Sequence, residues 1–236
     1  FFVGLSSGAT VVISQYYGAK EKEGLQNALH TAFAFSVLGS ILISVIGIVA
    51  SPVLLRLMNT TPDVIEPSTA YLRIYFAGIL FVFIYNVGSG ILRAVGDSKR
   101  PLYYLIVCCI INIILDIVFV VGFDMGVAGA AIATVFAQGV SAVLVTAALC
   151  RSTDIFRLTL KKIRIHKDAL ELLLKIGLPA GLQSVMYSFS NIIIQTSLNS
   201  FGTETMAAWT AYGKIDSASQ SPPLWGKTMA QENLDA

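Results

Sequence analysis

The sequence is poor in charged residues, in cysteine and in histidine. Only 13% of its 236 residues are Asp, Glu, Lys or Arg, whereas soluble domains usually carry roughly 25%. The 3 cysteines form no CxxC pair, which argues against a disulfide framework and against a cysteine-bound metal. The two histidines, His30 and His166, lie outside the interiors of the apolar runs and have no partner at ligand spacing. We interpret both as interfacial residues, and nothing here indicates a membrane enzyme.

Apolar residues make up the larger part of the chain. They account for 55% of the sequence, and the mean hydropathy is +0.73. A helix rises 1.5 Å per residue, so about 20 apolar residues cross the ~30 Å hydrocarbon core of a bilayer. The sequence therefore predicts an all-α, polytopic membrane protein with about six transmembrane helices. The predicted spans are residues 1–19, 28–58, 70–94, 101–122, 126–150 and 175–201.

Three segments between or after these spans have a different composition. Residues 59–68, NTTPDVIEPS, contain two prolines and two acids and are predicted to form a loop. Residues 151–174 are basic and partly amphipathic, so they are predicted to link two helix bundles and could lie on the membrane surface. Residues 217–236 are polar and contain proline, and no span fits there.

The basic residues predict the orientation of the spans. If successive connecting segments alternate between the two sides of the membrane and residues 20–24 are cytoplasmic, the outer flanks hold only two basic residues, Arg56 and Arg73. Because cytoplasmic flanks of membrane proteins are enriched in Lys and Arg, this distribution favours cytoplasmic basic loops. The inner flanks hold Lys20, Lys22, Arg93, Lys99, Arg100, Arg151, Arg157, Lys161, Lys162, Arg164, Lys167 and Lys175.

One span carries a carboxylate. Asp116 lies inside residues 101–122, and Asn112 precedes it by one helical turn on the same face. An Asp at the centre of a transmembrane helix costs about 2.5–3.5 kcal/mol on insertion scales, so such residues often mark an ion path. A carboxylate and an amide could together bind a proton or a small hard cation. The alternative interpretation is structural, because polar residues also hydrogen-bond between membrane helices.

Other polar side chains recur at helical spacing and are predicted to line a cavity. Residues 126–150 carry Thr134, Gln138 and Ser141 on one face, where they could complete the site begun by Asn112 and Asp116. Interhelical hydrogen bonding explains them about as well. The candidate residues for a substrate cavity are Gln138, Asn86, Gln183, Tyr187 and Asn191.

Several segments in order resemble the multidrug and toxin extrusion (MATE) family of secondary transporters. They are GLSSGATVVISQYYGAKEKE, LRAVGDSKRP, NIILD followed by GVAGAAIAT, and GLPAGLQS after the basic linker. The resemblance implies twelve helices in two lobes around a central cavity. On that mapping residues 1–150 are the second to sixth helices, 151–174 the inter-lobe linker and 175–216 the start of the second lobe. The chain is then expected to lack the first helix and most of the second lobe, and not to transport alone.

The resemblance also implies a function and a site. Such transporters export organic cations, drugs or other xenobiotics across the plasma membrane by antiport against H⁺ or Na⁺. It places the coupling-cation site at Asp116, Asn112 and Thr134, with no cofactor and no metal beyond a Na⁺ at Asp116. The expected partners are small-molecule cations or drugs and membrane lipids, not nucleic acid, and the complete protein is expected to be monomeric.

Two alternatives stay open at this point. A lipid-linked oligosaccharide flippase would share a related architecture but should present several cationic residues to phosphate, and only Arg93 is a candidate. A non-transporting truncated fragment is the other alternative.

Overall fold

The computed structural model describes residues 2–57, 62–152, 156–159 and 163–199. Over these residues the chain is mostly helical and contains no strand. The helices are α1 (Phe2–Gly18), α2 (Lys22–Leu57), α3 (Pro62–Ala94), α4 (Lys99–Asp116), a π-helical segment (Ile117–Gly122), α5 (Gly126–Arg151) and α6 (Lys167–Asn199). The polar tail predicted at residues 217–236 lies outside the described residues.

Five of the described helical stretches are long and apolar enough to cross a membrane, by length and composition. They are Lys22–Arg56, Ile65–Ala94, Lys99–Gly122, Gly126–Arg151 and Lys167–Asn191. Large apolar side chains of α4 such as Ile106 and Ile113 are nonetheless exposed. Helices with apolar residues on their outer faces are stable in lipid and not in water. The all-helical, multi-pass membrane fold predicted from the sequence is confirmed.

Among the helices that begin earlier than the sequence predicts, α3 and α6 differ most from their predicted starts. α3 starts at Pro62, so most of the loop predicted at residues 59–68 is helical. Proline is compatible with the first turn of a helix, because the backbone N–H it lacks would have no partner there. α6 starts at Lys167, so the end of the segment predicted as a linker is also helical. Turn-forming composition was therefore a poor guide to these two boundaries.

The chain divides into two compact units, residues 1–184 and 185–236. The core of the first unit joins α1, α2, α3 and α5 through side chains that are almost completely buried. They include Ile13, Leu29, Ile91 and Leu149. The second unit is described only from Val185 to Asn199, where α6 continues.

Helix α1 approaches α6 closely at two pairs of glycines. A Cβ atom on Gly4 would meet the backbone of Gly181, and one on Gly8 would meet the backbone of Gly177. Small residues allow membrane helices to pack with their backbones in contact. The small residues of α1 therefore have a packing role.

Helix α4 contributes little to this core and packs mainly beside α5. Its buried residues are Pro101 and Cys108. The turn before it contains Gly96 with a φ of +90°, a conformation that glycine adopts without strain. The hydroxyl of Tyr85 on α3 donates a hydrogen bond to the carbonyl of Pro101 at 3.1 Å. This bond fixes the beginning of the helix that carries Asn112 and Asp116.

Candidate functional site

Two of the predicted site residues are in contact across the interface of α4 and α5. The Asn112 Nδ2 donates a hydrogen bond to the Thr134 Oγ1 at 3.5 Å. The Thr134 hydroxyl donates to the carbonyl of Ala130 one turn earlier at 2.9 Å, so its oxygen is free to accept from Asn112. Because the amide nitrogen faces Thr134, the Asn112 Oδ1 is left as an acceptor.

Asp116 lies one turn beyond Asn112 on the same face of α4 and is half-buried. Its Oδ1 is buried and has no hydrogen-bond partner among the described residues. Burying a polar oxygen without a partner is unfavourable, and for a charged carboxylate the cost is larger still. A proton or a cation bound to this carboxylate would remove that cost.

The helix changes its winding directly after Asp116. Residues Ile117–Gly122 form a π-helical segment, and beyond it the N–H of Phe123 donates to the carbonyl of Val118 at 3.0 Å. π-helical turns are rare and are frequent at functional sites. The run IVFVVG contains no proline or polar residue that would have predicted this change.

Gln138 lies one turn after Thr134 on α5 and is half-buried. Its side chain has no hydrogen bond within the part of the chain that the structure describes. Ser141, by contrast, donates to the carbonyls of its own helix, at 3.4 Å to Ala137 and 3.0 Å to Gln138. Gln138 therefore remains a candidate for the site, whereas the Ser141 hydroxyl is already satisfied.

Asn86 belongs to a different part of the first unit. Its Nδ2 donates to the carbonyl of Val82 on its own helix at 2.8 Å. With Ser6 and Tyr75 it lines a cavity of about 160 Å³ between α1 and α3. Among the described contacts no hydrogen bond joins Asn86 to the pair formed by Asn112 and Thr134.

The remaining cavity candidates lie on α6. Gln183 is exposed and belongs to the first compact unit. Tyr187 is 68% exposed, and Asn191 is also exposed. Both belong to the second unit. Within the first unit the structure therefore brings together Asn112 and Thr134 beside Asp116, and no described hydrogen bond joins Gln183 to them.

The donor set around Asp116 defines which ions it could hold. Within the described residues no group of three or more His, Cys, Asp and Glu side chains could bind a metal. The polar groups are one carboxylate, two amides and a hydroxyl. Such oxygen donors suit a proton or a hard monovalent cation and do not suit a soft transition metal.

Comparisons with known proteins agree with this architecture. The MatE family model matches residues 1–118. The chain is 34% identical over 232 residues to the probable multidrug resistance protein YoeA of Bacillus subtilis, covering 95% of the chain and 50% of that relative. It is 26% identical over 208 residues to the multidrug export protein MepA of Staphylococcus saprophyticus, covering 86% of the chain and 45% of that relative.

Solved structures of MATE transporters also match the chain. The chain superimposes on a crystal structure of MATE in the bent conformation with a TM-score of 0.83 and 27% identity, over 91% of the chain and 48% of that structure. It also matches an inward-facing multidrug resistance MATE transporter with a TM-score of 0.71 and 30% identity, over 77% of the chain and 41% of that structure. The chain thus spans about half the length of the relatives it matches. Because the family model covers half of the sequence, the chain belongs to the MatE family, a family of multidrug and toxin extrusion transporters and not of enzymes.

Proposed function

We propose that the chain is part of a secondary transporter that exports organic cations, drugs or other xenobiotics by antiport against H⁺ or Na⁺. The coupling ion binds at Asp116, with Asn112 and Thr134 as neighbouring donors. The observation that carries the proposal is the buried Oδ1 of Asp116, which has no partner among the described residues. The names of relatives such as YoeA and MepA support the drug-export part.

Each residue of the site has a separate role in this proposal. Among the described residues of the site, Asp116 supplies the only negative charge, so it takes up the proton or Na⁺ and later releases it. Asn112 offers its Oδ1 to the same ion, while its Nδ2 is held by Thr134. Thr134 thereby orients the amide. Gln138, one turn along α5, is the next donor that a hydrated ion or a substrate would meet.

Neutralisation of Asp116 couples the export of the substrate to the entry of H⁺ or Na⁺. With the carboxylate charged, the site attracts a cationic substrate, and with a proton or Na⁺ bound it does not. The ion therefore favours release of the substrate and the conformation that follows. The coupling can be no larger than the difference in ion affinity between the inward- and outward-open states.

The donor set supports export of cations over flipping of a lipid-linked oligosaccharide. A phosphate-bearing substrate requires cationic side chains in the cavity. The groups beside Asp116 are amides and a hydroxyl, and the candidate cation Arg93 is exposed.

We place the protein in the plasma membrane with its basic loops in the cytoplasm. This orientation is supported by the segregation of Lys and Arg, which leaves Arg56 and Arg73 as the basic residues of the outer flanks. In that membrane the export direction is from cytoplasm to exterior. The complete transporter works as a monomer in this account.

The test is efflux of a cationic dye from a host that lacks its own exporters and expresses the complete reading frame containing this chain. Asp116→Asn keeps the shape of the side chain and removes the titratable charge. We expect this variant to lose efflux at equal expression. Retention of full efflux would show that Asp116 has a structural role and that coupling lies elsewhere.

Asp124→Asn is the matched control. It makes the same chemical change at an exposed residue of the link between the π-helical segment and α5. Asp124 has a φ of 54°, a conformation that asparagine tolerates well. We expect this variant to export the dye as well as the wild type does.

A further inference from the structure

A polar cleft lies between the first turns of α2 and the segment that follows α5. Its volume is about 640 Å³, which is within the range of small-molecule sites. The cleft is distant in sequence from the Asp116 site, and the function proposed above does not use it. Its lining residues are Gln26, Asn27, His30, Arg157, Thr159, Arg164 and His166.

One wall of the cleft is fixed by the buried side chain of His30, which is 3% exposed. Its Nε2 accepts a hydrogen bond from the backbone N–H of Thr159 at 3.2 Å. Its Nδ1 is 2.7 Å from the carbonyl of Gln26. A backbone N–H only donates and a carbonyl only accepts, so the ring is neutral with its proton on Nδ1. Neutral His30 therefore holds the segment after α5 against α2.

The next residue of α2 holds the second half of that segment. The Thr31 Oγ1 accepts from the N–H of His166 at 3.1 Å and donates to the carbonyl of Arg164 at 3.5 Å. Leu158 is 1% exposed, and its N–H donates to the carbonyl of Leu149 at the end of α5 at 3.1 Å. The backbone on both sides of the cleft is thus anchored, which leaves the side chains of Arg157 and Arg164 to project from fixed positions.

The charge of the cleft is positive. Arg157 and Arg164 are exposed, and neither forms an ion pair with any residue that the structure describes. Among the residues that the structure describes, no carboxylate lines the cleft. The acids of the adjoining helix ends, such as Glu23 and Asp168, are exposed and are not part of the lining. Two guanidinium groups without an ion-pair partner in the described part of the chain, beside neutral hydrogen-bonding groups, form a site for an anion.

We infer that this cleft binds a phosphate group of an anionic ligand. Guanidinium groups bind phosphate oxygens in pairs of parallel hydrogen bonds, and Asn27 adds an amide donor. The volume exceeds that of inorganic phosphate, so the ligand carries the phosphate on a larger body. An anionic phospholipid headgroup of the inner leaflet and a soluble phosphorylated metabolite share this chemistry. The ligand bridges α2 and the segment after α5, and it does not touch Asp116.

Binding is measured on the purified complete protein in detergent, with short-chain phosphatidylglycerol and with pyrophosphate as separate probes. We expect saturable binding of at least one probe, weakened by added salt because the interaction is ionic. Phosphatidylglycerol alone would identify a lipid site, and pyrophosphate binding would identify a soluble ligand. Either result supports the inference, and failure of both probes overturns it.

The double variant Arg157→Gln with Arg164→Gln tests whether these two side chains bind the ligand. Loss of one charge-assisted hydrogen bond weakens binding about tenfold or more, so we expect the double variant to bind at least tenfold more weakly. The control is Arg100→Gln with Arg151→Gln, which removes two other basic residues and should leave affinity unchanged. Equal affinity in wild type and the Arg157/Arg164 variant would overturn the inference.

Two further variants distinguish loss of ligand binding at this cleft from misfolding and from loss of the coupling site. Arg157→Lys with Arg164→Lys keeps both charges and removes the guanidinium geometry, so we expect intermediate affinity even if the glutamine variant is unstable. Asp116→Asn should bind the probes as the wild type does. Failure of this cleft and failure of the coupling site can therefore be recognised independently.

Discussion

Asn112 on α4 donates a hydrogen bond to Thr134 on α5, and the distance between Nδ2 and Oγ1 is 3.5 Å. This is the one side-chain hydrogen bond that joins the two helices among the described contacts of Asn112, Thr134 and Asp116. It orients the amide one turn from the buried Oδ1 of Asp116. The length of the bond indicates a weak interaction, so its main effect is on geometry.

Thr134→Val removes this bond and nearly preserves the shape of the side chain. We expect a loss of about 0.5–1.5 kcal/mol in unfolding free energy at most, together with weaker ion dependence of efflux. The measurement is dye efflux as a function of external pH and Na⁺ in the complete protein. Thr146→Val makes the same change on α5 outside the site, and it should leave the ion dependence unaltered. An identical effect of both variants would contradict a positioning role for Thr134.

The glycine contacts between α1 and α6 predict a stability effect. Gly8→Ala places a methyl group against the backbone of Gly177, so the helices must separate. We expect destabilisation of about 1–3 kcal/mol, measured as a lower thermal unfolding temperature in detergent. Gly39→Ala on α2 is the control, because nothing lies within 4 Å of a Cβ there. Without a clash this change should be neutral or stabilising by up to about 1 kcal/mol.

The orientation in the membrane can be tested by labelling single cysteines. Ser98 and Asp124 are both exposed, at opposite ends of the helical stretch Lys99–Gly122. We expect a membrane-impermeant maleimide to label Asp124→Cys in intact cells and Ser98→Cys only after permeabilisation. The background replaces the native residues Cys108, Cys109 and Cys150. The reverse pattern would contradict the cytoplasmic placement of the basic loops.

The sequence was most informative about features that follow from helix geometry, namely the membrane helices and the polar residues at helical spacing. Long apolar runs predicted the membrane helices, because a bilayer requires about 20 apolar residues per span. An isolated carboxylate in such a run singled out Asp116, and the same helical spacing selected Asn112 and Thr134. The contact between Asn112 and Thr134 then follows from the packing of α4 on α5. Their role in ion coupling stays a prediction.

Features that depend on tertiary contacts were not predictable. The π-helical segment after Asp116 has no local signal in the residues IVFVVG. The sequence indicates an interfacial His30, whereas the structure buries it against the segment after α5. Its partner Thr159 lies 129 positions away, so local sequence gives no sign of this contact. The amide of Asn86 is hydrogen-bonded to its own helix, and the side chain lines a cavity between α1 and α3. Its place in a substrate cavity stays a prediction.

The central claim is that Asp116 carries the coupling ion. The most direct measurement uses the purified complete protein in liposomes with a pH-sensitive dye and, separately, a Na⁺-sensitive dye inside. We expect a cationic substrate added outside to drive H⁺ or Na⁺ out of liposomes that contain the wild type or Asp124→Asn. Asp116→Asn should show no substrate-driven ion flux. Ion flux at the wild-type rate in Asp116→Asn would contradict the account.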